Sequence, residues 1–110
     1  MSESLKQEFC EPCSLGTPPL EGDELEALYK EVDSEWELVE GKKITHKYKF
    51  KNFKEALEFV NKVGEIAENE GHHPDIELGW GRVAISLMTH KIGGLSRNDF
   101  IMASKIDDLK

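Results

Sequence analysis

The strongest constraint on the fold comes from two runs of alternating apolar and polar residues, 75–80 and 83–90, on either side of Gly81-Arg82. A Gly-X pair between two such runs is typical of a β-hairpin with a two-residue turn. Trp80 then pairs with Val83, and this pair fixes the register of the whole hairpin. The register predicts one continuous apolar face for packing against helices, formed by Ile76, Leu78, Trp80, Val83, Ile85 and Leu87.

The same register predicts that three histidines lie close together. Extended past Pro74, it places His73 opposite His90, and directly opposed side chains have Cβ atoms roughly 4.5–5.5 Å apart. His72 has the opposite parity to His73 in an extended chain, but it belongs to the same corner of the hairpin. We therefore predict a cluster of three imidazoles at the open end of the hairpin.

Three clustered histidines are compatible with two kinds of chemistry. Catalytic zinc is often held by three histidines with one open position. Imidazole can also give or accept a proton near neutral pH, which suits acid–base catalysis. Because His72 and His73 are adjacent, their side chains are expected to project in different directions, which is awkward for one shared metal ion. Proton transfer or ligand binding is therefore favoured over zinc.

The rest of the chain predicts one α+β domain. Residues 1–20 are expected to form an irregular arm, because prolines and a glycine interrupt any periodic pattern there, and residues 21–110 form the domain. Apolar and polar spacing predicts the order α-β-β-α-β-β-α. Sequential strands with short connections give a two-layer fold, a four-stranded antiparallel sheet with helices on one face. The predicted features are a first helix with Leu25, Leu28, Tyr29 and Val32; strands Trp36–Val39 and Ile44–Phe50 joined by a turn at Glu40-Gly41; a helix from Asn52 to Gly71; and a last helix from Ser96.

Composition narrows the possible partners. The net charge is −8 over 110 residues, and no basic run with interleaved aromatics offsets it, so nucleic acid is not an expected ligand. Apolar stretches are too short to span a bilayer and the first residues do not resemble a secretion signal, so a cytoplasmic protein is expected.

Cys10 and Cys13 lack a second ligand pair and are interpreted as incidental or locally structural. His46 alternates with apolar residues, which favours a packed histidine over a ligand.

Several motifs together resemble the pterin-4a-carbinolamine dehydratase family. They are a Glu four residues before His-His-Pro, a Thr-His at the end of the next strand, and Gly-Leu-Ser-x-x-Asp at the start of the last helix. The resemblance also includes Trp36 and the strand order, and it covers residues 20 to 108. The residues that carry it are Glu68, His72, His73, Pro74, Val83, Thr89, His90, Gly94, Leu95, Ser96 and Asp99.

The resemblance implies an α+β dimer or tetramer that dehydrates 4a-hydroxytetrahydropterin to quinonoid dihydropterin without a metal or organic cofactor. On that basis His72 and His90 are expected to transfer protons, while His73 orients the pterin. Other expected substrate-site residues are Pro74, Thr89, Asp99 and Glu68. Two roles stay open: the Asp99 carboxylate either caps the last helix or contacts the substrate, and the Glu68 carboxylate either orients an imidazole or is a solvated charge. A non-enzymatic adaptor and a three-histidine metal hydrolase are the alternatives.

Overall fold

The computed structural model describes residues 18–109 as one α+β fold, with the predicted order of elements. Cys10 and Cys13 lie outside the described residues, as does most of the predicted arm. Residues 18–20 form neither helix nor strand, and the Leu20 N–H donates to the Leu95 carbonyl over 2.8 Å. The elements are α1 (Gly22–Tyr29), β1 (Glu37–Val39), β2 (Lys43–Lys49), α2 (Phe53–Glu70), β3 (Asp75–Gly79), β4 (Arg82–Leu87), a 3₁₀ turn (His90–Ile92) and α3 (Arg97–Asp107).

The four strands form one antiparallel sheet in the order β1-β2-β4-β3. Alternate residues of the two central strands are buried, as the period of two requires. α2 and α3 pack on the sheet, and α1 packs against α3, which confirms the predicted α+β class. The buried face consists of Ile44, His46 and Tyr48 from β2 and Val83, Ile85 and Leu87 from β4.

The predicted register of the second hairpin is wrong by two residues. Gly79 pairs with Arg82, so the turn is Trp80-Gly81 and not Gly81-Arg82. Arg82 is required in the ladder because β4 also pairs with β2, where Lys49 lies opposite Arg82. Trp80 is consequently a turn residue that is 71% exposed and contributes nothing to the apolar face. Because the shift is two residues, the remaining side chains of the two strands stay on their predicted faces.

The second hairpin also ends earlier than predicted. The β3–β4 ladder stops at the pair of Asp75 with Ser86, and β4 ends at Leu87. The ladder therefore does not place His73 opposite His90. His90 begins the 3₁₀ turn, which Gly93 closes with a φ of 67°. The positions of the three histidines consequently depend on the connections around α2 and α3 and not on the ladder.

Three helix ends follow their sequence signals. The Asn52 side chain accepts a hydrogen bond from the Glu55 N–H over 2.9 Å, which caps α2 at its start. α2 ends at Gly71, whose φ of 65° is strained for residues with a Cβ. Ser96 and Asp99 form a capping box at the start of α3. Within residues 18–109, no helix has the length and apolar character needed to cross a membrane.

Candidate active site

A buried carboxylate at the start of α3 organises the candidate site. Asp99 is fully buried, and its Oδ2 accepts hydrogen bonds from the Ser96 N–H over 2.9 Å and from the Thr89 hydroxyl over 2.8 Å. The Ser96 and Thr89 hydroxyls are also 2.8 Å apart. The helix-start role expected of Asp99 is thus present. The same contacts fix the carboxylate rigidly, because a buried carboxylate is stable only when its oxygens are hydrogen-bonded.

The other oxygen of Asp99 holds His72. The distance from Asp99 Oδ1 to His72 Nε2 is 2.6 Å, and the His72 side chain is 14% exposed. An ionised carboxylate can only accept, so the proton of this hydrogen bond lies on Nε2. In the neutral ring, Nδ1 then carries the free lone pair. His72 therefore has a defined tautomer and one nitrogen that is available for proton transfer.

The end of α2 directs the His72 side chain toward Asp99. Gly71 turns the chain with its left-handed backbone, and the His72 N–H donates to the Ala67 carbonyl over 3.3 Å. This arrangement is the usual way in which a glycine ends a helix and redirects the chain. The His-His-Pro segment consequently leaves α2 toward the start of α3.

His73 has a different partner from its neighbour. Its Nε2 lies 2.5 Å from Glu68 Oε2, and both side chains are largely exposed, at 61% and 78%. The two adjacent rings therefore engage different carboxylates, in line with the expectation that they project differently. Glu68 does hold an imidazole, but it is that of His73 and not that of His72. Pro74 follows, half-buried, and leads into β3.

His90 occupies the solvent-exposed side of the candidate site. Its side chain is 71% exposed, and its Nε2 lies 3.8 Å from Asp75 Oδ2, the first residue of β3. This distance is too long for a hydrogen bond but permits an ion pair with a protonated ring. Thr89, its neighbour in the chain, is anchored to Asp99 and pairs with Gly94 in an isolated bridge. The backbone before His90 is thus tied to the group that holds His72.

The arrangement therefore gives each histidine its own carboxylate. The sequence prediction identified His72, His73, His90, Thr89, Asp99 and Glu68, but it did not single out Asp75 or the hydroxyl of Ser96 as site residues. Ser96 was recognised as a helix start and as part of the Gly-Leu-Ser-x-x-Asp motif, and Asp75 only as a residue of the predicted strand. Because the three Nε2 atoms face three different carboxylates, the geometry suits three independent imidazoles better than one shared metal ion.

Comparisons with known proteins identify the relatives of this chain. The family model described as pterin 4 alpha carbinolamine dehydratase matches residues 18–109. A protein of Alkaliphilus metalliredigens, named "Putative pterin-4-alpha-carbinolamine dehydratase", is 50% identical over 104 residues, which is 94% of each chain. A protein of Rubrobacter xylanophilus with the same name is 50% identical over 109 residues, covering 99% of this chain and 100% of the relative.

A solved structure shares the fold. The crystal structure of a "transcriptional coactivator/pterin dehydratase" from Brucella melitensis is similar with a TM-score of 0.76. Its sequence identity is 32%, and the match covers 83% of this chain and 97% of the other. The match therefore extends over nearly the whole of that protein.

Proposed function

This chain belongs to the pterin-4a-carbinolamine dehydratase family, and from that premise we propose that it converts 4a-hydroxytetrahydropterin to quinonoid dihydropterin and water. The reaction would regenerate the pterin after hydroxylation of an aromatic amino acid. We further propose that the protein is a cytoplasmic homodimer or homotetramer and that its ligand is a small molecule and not nucleic acid. The observation that carries the catalytic proposal is the hydrogen bond between His72 and the buried Asp99.

The reaction needs two proton transfers. The C4a–O bond breaks as an acid protonates the departing hydroxyl, which leaves as water, while a base removes the N5 proton and a C4a–N5 double bond forms. His72 suits the base, because Asp99 accepts from its Nε2–H and leaves the Nδ1 lone pair free. His90 suits the acid, because its exposed ring lies on the open side of the site, where it can reach the departing hydroxyl. Asp99 is thus a positioning residue.

The remaining residues would bind and orient the pterin. His73 is exposed and its ring is fixed by Glu68, so it can present one nitrogen to a flat ligand. Thr89 and Pro74 lie next to His90 and His73 in the chain and would line the edge of the site. General acid–base catalysis accelerates a reaction by about 10²–10⁴-fold, and this acceleration is sufficient for a dehydration that also proceeds without enzyme.

Stopped-flow measurement of 4a-hydroxytetrahydropterin dehydration tests the assignment. His72→Ala and His90→Ala should each lower kcat by about 10²-fold or more, because each removes one of the two proton carriers. Lys91→Ala, an exposed neighbour of His90 in the same 3₁₀ turn, is the matched control and should retain the wild-type rate. Circular dichroism should be unchanged in all three, and EDTA should not slow the reaction. Wild-type rates in both histidine variants would reject the mechanism.

The Brucella relative supplies the reason to consider an adaptor, because its description names a coactivator as well as a dehydratase. An adaptor of this fold would bind its protein partner equally well with His72 and His90 removed. The same variants therefore separate the two functions. Loss of catalysis without loss of partner binding would mean that the chain has both the catalytic and the adaptor function.

A further inference from the structure

A second cluster of titratable groups lies at the opposite end of α3 from Asp99. Asp33 follows α1, His46 lies in the middle of β2, and Asp107 is the last residue of α3. One ligand atom from each of these side chains lies within 4.8 Å of the others. Three segments far apart in sequence thus bring one imidazole nitrogen and two carboxylates together.

The His46 ring is fixed, and one of its nitrogens has no hydrogen-bond partner. The residue is 5% exposed, stacks on Tyr48 with ring centroids 3.8 Å apart, and meets the Trp36 ring edge-on. Its Nδ1 lies 3.1 Å from the Lys47 carbonyl oxygen, which can only accept, so Nδ1 carries a proton. Nε2 is buried and makes no hydrogen bond to any residue in the range 18–109. A buried nitrogen left in this way is costly unless another ligand satisfies it.

The distance from His46 Nε2 to the nearest carboxylate fits a shared metal ion. Asp33 Oδ2 lies 3.5 Å away, beyond the usual range of an N–H···O hydrogen bond of about 2.7–3.2 Å. Two ligands of a tetrahedral zinc ion, at about 2.0–2.2 Å from the metal, are separated by roughly 3.4 Å. The spacing between these two atoms is therefore that of one edge of a tetrahedron.

The Asp107 carboxylate is already oriented toward the cluster. Its Oδ1 accepts a hydrogen bond from the Trp36 indole N–H and its Oδ2 accepts one from the Asp33 backbone N–H, both over 2.8 Å. Each oxygen keeps a further lone pair for a metal. Burial, together with the charge of Asp33, raises the pKa of Asp107. A cation between the two carboxylates would offset both effects.

We propose that Asp33, His46 and Asp107 bind one divalent transition-metal ion, with a water molecule as the fourth ligand. The imidazole favours zinc, cobalt or nickel over magnesium and calcium, which prefer oxygen ligands alone. The Asp33 side chain is 46% exposed and provides a route for the ion and the water. The ion would tie the segment after α1, the strand β2 and the end of α3 to one another, and so would stabilise the fold.

The test uses the full chain with Cys10 and Cys13 both replaced by serine, because a cysteine pair can bind zinc by itself. After treatment with EDTA and its removal, the protein is titrated with zinc chloride in a calorimeter and its thermal unfolding is measured. We expect one zinc per chain and a Tm rise of roughly 10–15 °C at about 100 times the dissociation constant.

Variants in the same background assign the ion to its ligands. Asp33→Asn keeps an acceptor for the Glu35 N–H, which bonds Asp33 Oδ1, and should weaken zinc binding at least tenfold. His46→Gln should do the same. Asp108→Asn, the exposed neighbour of Asp107, is the matched control and should bind as the parent does. The combined variant His72→Ala, His90→Ala should also bind normally.

Three results would overturn the proposal. Zinc and cobalt could both fail to bind or to raise the Tm, which would mean that the cluster of Asp33, His46 and Asp107 holds no ion. Zinc affinity could be unchanged in Asp33→Asn, a half-exposed position whose replacement does not threaten folding. Zinc could also be lost with His72 and His90, which would locate the ion in the candidate active site.

Discussion

Replacing Asp99 by asparagine should separate the two tasks of this carboxylate. The amide oxygen of asparagine can still accept from the Ser96 N–H and the Thr89 hydroxyl, the two donors that now bond Oδ2. The amide nitrogen then takes the position of Oδ1 and can only donate. His72 Nε2 must become an acceptor, which moves the ring proton to Nδ1 and removes the lone pair that the proposed base needs.

The expected magnitudes follow from these contacts. The hydrogen bond from His72 to a charged acceptor is replaced by one between two neutral groups, which lowers the free energy of unfolding by about 1–1.5 kcal/mol in urea denaturation. The loss of the base lowers kcat by about 10²-fold, with a smaller effect on KM. Nitrogen NMR of the His72 ring should show the proton on Nε2 in the wild type and on Nδ1 in the variant.

The matched control removes a helix cap that has no part in the site. Asn52→Ala deletes the acceptor of the Glu55 N–H at the start of α2 and should cost about 0.5–2 kcal/mol. Its kcat should equal that of the wild type. A folded Asp99→Asn protein with kcat within about threefold of the wild type would refute the reasoning. So would an equal fall of kcat in both variants.

Two further predictions concern stability. Gly71→Ala should lower the free energy of unfolding by about 1–2 kcal/mol, because the φ of Gly71 is 65°. Gly64→Ala, inside α2 with open space around it, should raise the free energy of unfolding by about 0.5–1 kcal/mol. Urea denaturation measures both values, and equal effects would contradict the backbone argument. Burial raises the pKa of Asp107. The contribution of this side chain to the free energy of unfolding is therefore present below its ordinary pKa of 3.8 and is lost as the pH rises through its higher pKa in the folded protein. The stability of the wild type relative to Asp107→Asn, measured in EDTA, should therefore fall as the pH rises from below 3.8, and a difference that does not change with pH would be inconsistent with the burial of this group.

The sequence predicted the faces of the sheet better than its register. Side chains alternate with a period of two, so a register error of two residues left Ile76, Leu78, Val83 and Ile85 on the apolar face. The position of the turn could not be read locally, since it depends on pairing between β4 and β2. Trp80 and Arg82 changed environment as a result, because Trp80 lies in the turn and Arg82 lies in β4.

The sequence singled out residues that the structure connects, but it did not reveal their contacts. Motif spacing identified His72 and Asp99, yet the two lie 27 positions apart and meet only because α3 packs beside the end of α2. The capping signal of Asp99 is local and was therefore visible. The cluster around His46 could not be foreseen, because Asp107 reaches the segment of Asp33 across 74 positions of sequence.

The most direct test of the central claim is the rate at which the wild-type protein, at a concentration well below that of its substrate, dehydrates 4a-hydroxytetrahydropterin in a stopped-flow spectrometer. The proposed pair of proton carriers predicts a saturable rate above the spontaneous one, with many turnovers per chain. A decay of the substrate that stays at the spontaneous rate at every protein concentration, in protein shown to be folded, would contradict it.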